Sequence, residues 1–302
     1  MLTDLFFKIN FSISIIASII GLIFTAITIY TISCKRQFRT VNNLLTCNTS
    51  LICGLYLIFS LISSVYGLEK NWAVTQPACQ FRAYSFVVSC ALLLYSHSIH
   101  AISRLFFVAF YKHRYLLTWR THWIMITINW LLGIIIPATL LFIEGSYIYE
   151  EESRLCTCTT KKIWTAMYGI ITAFVIPFNI VTIIYTTLVC RARRSTRRVR
   201  DTGSTVIAVS TNTNINIPNI GREITLIRNM SILLSIILCG GTPYLFLVFW
   251  QATTKYHPPE FFYLLVINSI TVCTGLMMLA LFSLNKQVKR STFEYFQKLC
   301  EI

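Results

Sequence analysis

The chain has 302 residues, of which 55% are hydrophobic and 12% charged, and its mean hydropathy is +0.65. Soluble domains carry about 25% charged residues, so this chain lacks the polar side chains that would cover a surface in water. The composition therefore excludes a soluble globular protein and indicates an integral membrane protein.

Seven apolar stretches are long enough to cross the hydrocarbon core of a bilayer, which takes about 20 helical residues. They are predicted near residues 9–33, 42–66, 79–110, 122–143, 163–190, 223–252 and 260–284. Backbone polar groups in lipid must be hydrogen-bonded within the protein, so membrane spans are either helices or the strands of a closed barrel. Runs such as SIIASIIGLIFTAITIY do not alternate in polarity as barrel strands do. The sequence thus predicts an all-α fold, a seven-helix transmembrane bundle, as a single domain over residues 1–302.

Charge is distributed unevenly between the connecting segments. With the N-terminus outside, the outer segments have no net charge and the inner segments carry the whole net charge of +15. Lys35, Arg36, Arg39 and the cluster RARRSTRRVRD at 191–201 are inner. This positive-inside pattern predicts a multi-pass protein of the cell membrane with an extracellular N-terminus. Anionic membrane lipid and a cytoplasmic partner account for the basic excess without nucleic acid.

Three of the eleven cysteines, Cys79, Cys156 and Cys158, fall in the predicted outer segments, where thiols can be oxidised. We expect one disulfide from Cys79 to the loop after the fourth span, with Cys156 favoured over Cys158 as its partner. Three free thiols are the alternative.

Arg104 lies near the inner end of the third apolar stretch. It lies 25 residues after Cys79, which is about 37 Å along a helix, so it stands at the inner face of the membrane. A charge so near hydrocarbon suggests a functional site, although an interfacial side chain whose charge reaches water is the simpler alternative.

Other residues stand at characteristic spacings around Arg104. Ser103-Arg104-Leu105 closes the third span, and Glu223 stands at the inner end of the sixth. The others are Trp72 before Cys79, Trp130 in the fourth span, Pro177 and Tyr185 in IPFNIVTIIY, and Pro243 in CGGTPY. With these residues the chain resembles the rhodopsin-like G-protein-coupled receptors over nearly its whole length, with SRL in place of their Asp-Arg-Tyr. The stretch NKQVKRSTFEYF resembles their short amphipathic eighth helix, predicted here over 286–299 with Val288, Phe293 and Phe296 on its apolar side.

The resemblance implies a mechanism. In the resting state Arg104 would pair with Glu223, and breaking this pair would let the sixth helix swing out about Pro243, which lacks an N–H group. Tyr185 would then approach Arg104, and the opened cavity would bind a heterotrimeric G protein. An extracellular ligand would drive this shift in population. The resemblance implies no enzymatic activity and no cofactor.

Several family residues are missing. Thr25 and Cys53 replace the Asn of the first helix and the Asp of the second, Gly241 replaces the Trp of the sixth, and MMLAL at 277–281 replaces Asn-Pro-x-x-Tyr. A sodium ion therefore has no carboxylate to bind there. A receptor-like protein that does not couple to G proteins is thus an alternative. A small transporter is less favoured, because no repeat or interrupted helix is evident.

His97 and His100 precede Arg104 by seven and four residues and share its helical face. We hypothesise that they form a polar core with Asn48 in place of the missing relay; the alternative is that they are packing residues. A metal site is not expected, because no third ligand is evident.

Few residues of the sequence indicate what type of ligand is bound. Phe86 stands where amine receptors have Asp, which disfavours an amine, and Thr271 stands where opsins have the retinal lysine. The expected pocket is apolar and aromatic, formed by Tyr84, Phe86, Trp250, Tyr256, Phe261 and Phe262. It suits a small apolar molecule or a peptide side chain, with a peptide favoured. The run Glu150-Glu151-Glu152 has two interpretations: it attracts a basic peptide, or it is simply a solvated loop.

Overall fold

The structure is a computed structural model that describes residues 4–34, 38–69, 78–159, 162–203, 220–254 and 258–300. In these ranges seven helical segments are long and apolar enough to span a membrane, which confirms the predicted fold. The first to seventh spans are Asp4–Cys34, Val41–Gly67, Cys79–Ala109, Trp119–Phe142, Ile163–Arg191, Arg228–Thr253 and Glu260–Leu284. The helix of the fifth span continues to Gly203, and that of the sixth begins at Ile220.

The first helix begins at Asp4, earlier than hydropathy alone predicted. Lys8 interrupts the apolar run, but its ammonium group lies 3.5 Å from the carboxylate of Asp4, one turn before it. Ion pairs at this spacing support a helix rather than end it.

The predicted eighth helix is present as Lys286–Cys300. Asn285 caps it, since its side-chain oxygen accepts a hydrogen bond from the backbone N–H of Val288 at 3.2 Å. Val288 is buried and Phe293 is exposed on the surface of the bundle, while the side chain of Phe296 lies outside the described residues.

The third span is the most buried of the seven and packs against the second, fourth and fifth. The first span packs against the second and seventh, and the sixth against the seventh. The two ends of the bundle are named here after residues of the third span, the Cys79 end and the Arg104 end.

Mid-bundle packing is apolar at the positions where the sequence lacks the family's polar relay residues. Cys53, Met277 and Met278 are fully buried in one cluster with Leu92. The first and seventh spans also approach closely, because a Cβ atom on Gly275 would lie 2.8 Å from the carbonyl oxygen of Ala17. Small residues at such crossings allow helices to pack tightly in lipid.

The fifth span contains a π-helical turn at Ile171–Val175, between α-helical segments Ile163–Ile170 and Ile176–Gly203. A π turn widens the helix and disturbs its regular ladder of hydrogen bonds. The hydroxyl of Tyr95 in the third span donates to the carbonyl oxygen of Thr172 within this turn, at 2.8 Å. The turn therefore links the two spans.

A β-hairpin at the Cys79 end is an addition to the predicted all-α architecture. Its strands are β1 (Tyr147–Glu150) and β2 (Leu155–Cys158), paired antiparallel with Glu150 opposite Leu155. Arg154 adopts a left-handed backbone conformation in the connecting turn (φ 55°). Four-residue strands around an acidic turn leave too short a pattern for prediction from sequence.

Candidate functional site: the Arg104 cluster and two cavities

The side chain of Arg104 lies inside the bundle, with 6% of its surface exposed. Its guanidinium donates a hydrogen bond to the side-chain oxygen of Asn42, in the first turn of the second span. A buried charge needs such polar contacts to offset the loss of water. The structure thus connects the end of the third span to the start of the second.

The other three residues of the predicted switch are distributed over the fifth and sixth spans. Tyr185 is half-buried and packs with Val181 and Leu188. Pro243 lies within a helix that continues on both sides of it. The side chain of Glu223 lies outside the described residues, so its pairing with Arg104 stays a prediction.

Ser103, which stands where the family has an acid, contacts a histidine that sequence reasoning did not single out. The Ser103 hydroxyl lies 2.9 Å from Nε2 of His122, and Nδ1 of the same ring lies 2.9 Å from the carbonyl oxygen of Thr118. A carbonyl only accepts, so in a neutral ring Nδ1 carries the proton and Nε2 accepts from Ser103. A hydrogen bond therefore joins the third and fourth spans next to Arg104.

His97 and His100 lie together, with ring centroids 6.3 Å apart, and both are almost fully buried. Nε2 of His100 lies 3.1 Å from the hydroxyl of Thr49, which also contacts Ser96. Asn48 is placed elsewhere, because its side-chain oxygen accepts a hydrogen bond from Trp130 at 3.0 Å. The structure brings the two histidines together with Thr49 rather than with Asn48.

A cavity of about 380 Å³ opens beside these histidines and is called the Arg104-end cavity. His97 and His100 line it, together with Asn42, Asn229 of the sixth span and Gln287 of the eighth helix. No group of three or more His, Cys, Asp or Glu side chains within the described ranges is arranged to hold a metal ion.

Asn42 and Thr49 were missed in the sequence, although a signal for them exists. Asn42, Thr46 and Thr49 recur at intervals of four and three residues, which places them on one face of the second helix. All three line the Arg104-end cavity. A polar stripe on an otherwise apolar helix is thus the pattern to look for.

The disulfide at the other end joins Cys79 to Cys156, whose Cα atoms are 5.4 Å apart, and confirms the favoured partner. Cys158 is a free thiol. The bridge fixes strand β2 against the start of the third span.

A second cavity, of about 160 Å³, lies below the hairpin and is called the Cys79-end cavity. Its walls come from the third, fifth, sixth and seventh spans, and the hairpin contributes Glu150, Thr157 and Cys158. Gly241, in the position of the family's Trp, also lines it. Burial raises the pKa of the Cys158 thiol to about 12, and the nearby Glu150 carboxylate acts in the same direction.

Five of the six residues of the predicted ligand pocket are described, and these five are not brought together around this cavity. Phe86 lines it. Tyr84 donates to the carbonyl oxygen of Ile134 in the fourth span at 3.0 Å. Trp250 and Phe262 both pack on Phe246, and Phe261, which is exposed, packs on Phe262. Tyr256 lies outside the described residues.

Glu150 also departs from the simplest expectation for an acidic loop. Its side chain is only 3% exposed, whereas the neighbouring Glu151 is exposed. The reason is the hairpin, which turns Glu150 toward the bundle and leaves Glu151 in the connecting turn.

A seven-span bundle, a buried arginine at one end of the third helix and a disulfide at its other end together define a receptor-type membrane protein. The family model described as 7 transmembrane receptor (rhodopsin family) matches residues 25–282, and the chain belongs to this family.

Comparison with solved structures shows the same fold. The crystal structure of squid rhodopsin is similar with a TM-score of 0.80 and 15% sequence identity, over 99% of this chain and 87% of that chain. The sequence matches no curated protein.

Proposed function

We propose that the protein is a G-protein-coupled receptor of the cell membrane, which binds an extracellular ligand and recruits a heterotrimeric G protein. The Arg104 end faces the cytoplasm and the N-terminus is extracellular. Family membership and the positive charge of the segments at the Arg104 end support this orientation. The protein acts by changing shape, with no enzymatic step.

The observation that carries the proposal is the buried Arg104, which is hydrogen-bonded to Asn42 in the wall of the Arg104-end cavity. Asn229 and Leu233 of the sixth span form part of the wall of the Arg104-end cavity, opposite His97 and His100 of the third. Outward movement of the sixth span, hinged at Pro243, widens this cavity until it accepts a helix of the G protein. Arg104 leaves Asn42 in the process and becomes available to that helix.

Ligand control follows from the position of the second cavity. The third, fifth and sixth spans line the Cys79-end cavity, and the same three spans supply side chains to the apolar cluster and the cavity at the Arg104 end. A ligand that binds the open arrangement more tightly than the closed one shifts the population toward the open form.

A small ligand fits this cavity better than the peptide favoured from sequence. A cavity of about 150 Å³ in another protein holds a molecule the size of benzene. The Cys79-end cavity has a similar volume, about 160 Å³, and the hairpin covers it. We therefore favour a small, mostly apolar molecule.

The test is recruitment of G-protein α subunits to the receptor in cells, measured by energy transfer across a panel of subtypes as expression is raised. Wild type is expected to recruit at least one subtype above background. Arg104→Ala should reduce recruitment at least about tenfold, since it removes the buried charge that the partner helix contacts.

Arg120→Ala is the matched control, because Arg120 is an exposed cation at the same end of the bundle. Its recruitment should stay within about twofold of wild type, at equal surface expression. No recruitment of any subtype by wild type, or equal recruitment by Arg104→Ala, would contradict coupling.

The same experiment decides for or against a receptor that does not couple. The apolar packing of Cys53, Met277 and Met278 favours that second function, because it replaces the polar relay between the two ends of the bundle. Absent recruitment together with normal ligand binding is its expected signature.

A further inference from the structure

We propose that the Cys79-end cavity binds a small, neutral aromatic carbonyl compound, whose carbonyl oxygen accepts a hydrogen bond from the hydroxyl of Thr157. This inference rests on the proposed receptor function and adds the chemical class of the ligand. It depends on one polar group of the hairpin and on the apolar wall around it.

The hydroxyl of Thr157 is the first support. Its Oγ1 atom is buried, and it contacts no donor or acceptor within the part of the chain that the structure describes. Among the described residues that line the cavity, Thr157 is the one with such an oxygen or nitrogen atom. A buried hydroxyl of this kind costs free energy until a partner reaches it. Its proton needs an acceptor, and a ligand carbonyl is an acceptor only.

Other polar groups of the cavity wall are occupied differently. The hydroxyl of Thr274 donates to the carbonyl oxygen of Ile270, one turn earlier in the same helix, at 2.8 Å. The hydroxyl of Tyr263 accepts a hydrogen bond from the side-chain amide of Gln251 at 2.7 Å. An ionised Glu150 only accepts hydrogen bonds, so it does not bind a carbonyl oxygen. These differences direct the ligand oxygen to Thr157.

The hairpin holds Thr157 in place before a ligand arrives. The preceding residue, Cys156, is bonded to Cys79 at the start of the third span. Thr157 also pairs with Ile148 of the neighbouring strand. A donor that is already fixed in position loses little conformational freedom on binding, which favours affinity.

The size and lining of the cavity indicate the rest of the ligand. Its volume, about 160 Å³, is close to that of a cavity that holds benzene, so it accepts one ring with a short substituent. Aromatic rings of the third, fifth and sixth spans line it, namely Phe86, Phe174 and Tyr244. Aromatic rings pack well on one another, edge to face or offset. Gly241 keeps this space open, because a Cβ atom there would lie 3.2 Å from the ring of Phe174.

The experiment compares two probes of nearly equal shape, acetophenone and α-methylstyrene, which differ in a C=O against a C=CH₂ group. Calorimetry gives the affinity of each probe for the purified full-length receptor. Water releases a ketone less readily than a hydrocarbon, so the decisive quantity is how a substitution changes each affinity. Thr157→Val should weaken acetophenone binding at least about fivefold, as expected for the loss of one hydrogen bond, and leave α-methylstyrene within about twofold.

Thr274→Val is the matched control, because it removes the same group from a wall residue whose hydroxyl is bonded within its own helix. It should leave the ratio of the two affinities within about twofold of wild type. Tyr244→Phe removes another hydroxyl of the wall and should also preserve this ratio. Loss of acetophenone binding in either control with full binding in Thr157→Val would overturn the assignment to Thr157.

Infrared spectroscopy supplies a readout from wild type alone, so a misfolded variant does not remove the test. The carbonyl stretch of bound, isotope-labelled acetophenone should lie at lower frequency than in hexane, because a hydrogen bond weakens the C=O bond. An unshifted band, binding of neither probe, or an equal loss of both probes in Thr157→Val would each overturn the inference. Ketone binding without G-protein recruitment would contradict coupling alone, and recruitment without ketone binding would contradict the ligand class alone.

Discussion

Arg104 at the end of the third span is hydrogen-bonded to Asn42 at the start of the second. The contact joins two helices that the family resemblance does not join through this arginine. We therefore expect the second span to help hold Arg104 in the resting arrangement, whatever Glu223 contributes.

Asn42→Ala should destabilise the closed form. Loss of the acceptor for a buried, charged donor costs about 1–3 kcal/mol. We expect a lower melting temperature of the purified receptor and higher ligand-independent G-protein recruitment in cells. Asn179→Ala is the control, because Asn179 is exposed and donates to its own helix at Val175. Unchanged melting and unchanged basal recruitment in Asn42→Ala would show that the contact has no role in the resting state.

Ser103 and His122 should behave as a coupled pair. Ser103→Ala leaves the buried Nε2 atom of His122 without its donor, which costs about 1–2 kcal/mol in stability. His122→Phe removes the need for that donor, so the double variant should be less destabilised than the sum of the two single variants. A double-mutant cycle on thermal unfolding measures the coupling, and additive effects would refute it.

Gly275 should not tolerate a methyl group. In Gly275→Ala the new Cβ atom would meet the carbonyl oxygen of Ala17 at 2.8 Å, so the first and seventh spans must separate. Overpacking of this kind costs about 1–3 kcal/mol. Gly169→Ala is the control, because a Cβ atom there meets nothing within 4 Å. Melting temperatures of both variants test the prediction, and equal values would contradict the close approach.

Cys158 should be a poor nucleophile with an unusual dependence on pH. Only the thiolate reacts, and the pKa of this thiol is raised from an ordinary value of 9.0 to about 12. Its alkylation by iodoacetamide should therefore keep accelerating between pH 9 and 11, where an unperturbed thiol levels off.

The Glu150 carboxylate disfavours the Cys158 thiolate, so Glu150→Gln should lower the pKa and speed the reaction at pH 9. Glu151→Gln serves as the control. Peptide mapping by mass spectrometry gives the rate at Cys158 itself, and a rate that levels off near pH 9 in wild type would contradict the raised pKa.

The spans were predictable because long apolar runs have one solution in lipid, a helix that satisfies its own backbone. Cys79–Cys156 was predictable in part, since few thiols lie at that end of the bundle. The contacts of Arg104, Ser103 and Asn48 were not, because they depend on the rotation of each helix about its axis. Hydropathy constrains the length of a span far better than its rotation.

Glu150 shows a second limit. Three consecutive glutamates have the composition of a solvated loop, and only the register of the hairpin separates the buried Glu150 from the exposed Glu151. A shift of one residue in a strand exchanges its two faces. Local composition contains no information on that register.

The wide turn at Ile171–Val175 determines which side chains of the fifth span line the Cys79-end cavity. Each residue of an α-helix turns by about 100°, so deletion of one residue here would restore a regular helix and rotate the segment Ile163–Ile170 by about that angle relative to the rest. Gly169 and Ile170 would then leave the cavity wall. Relatives that differ by a single insertion or deletion in this stretch should accordingly differ in ligand preference, even when every other lining residue is the same.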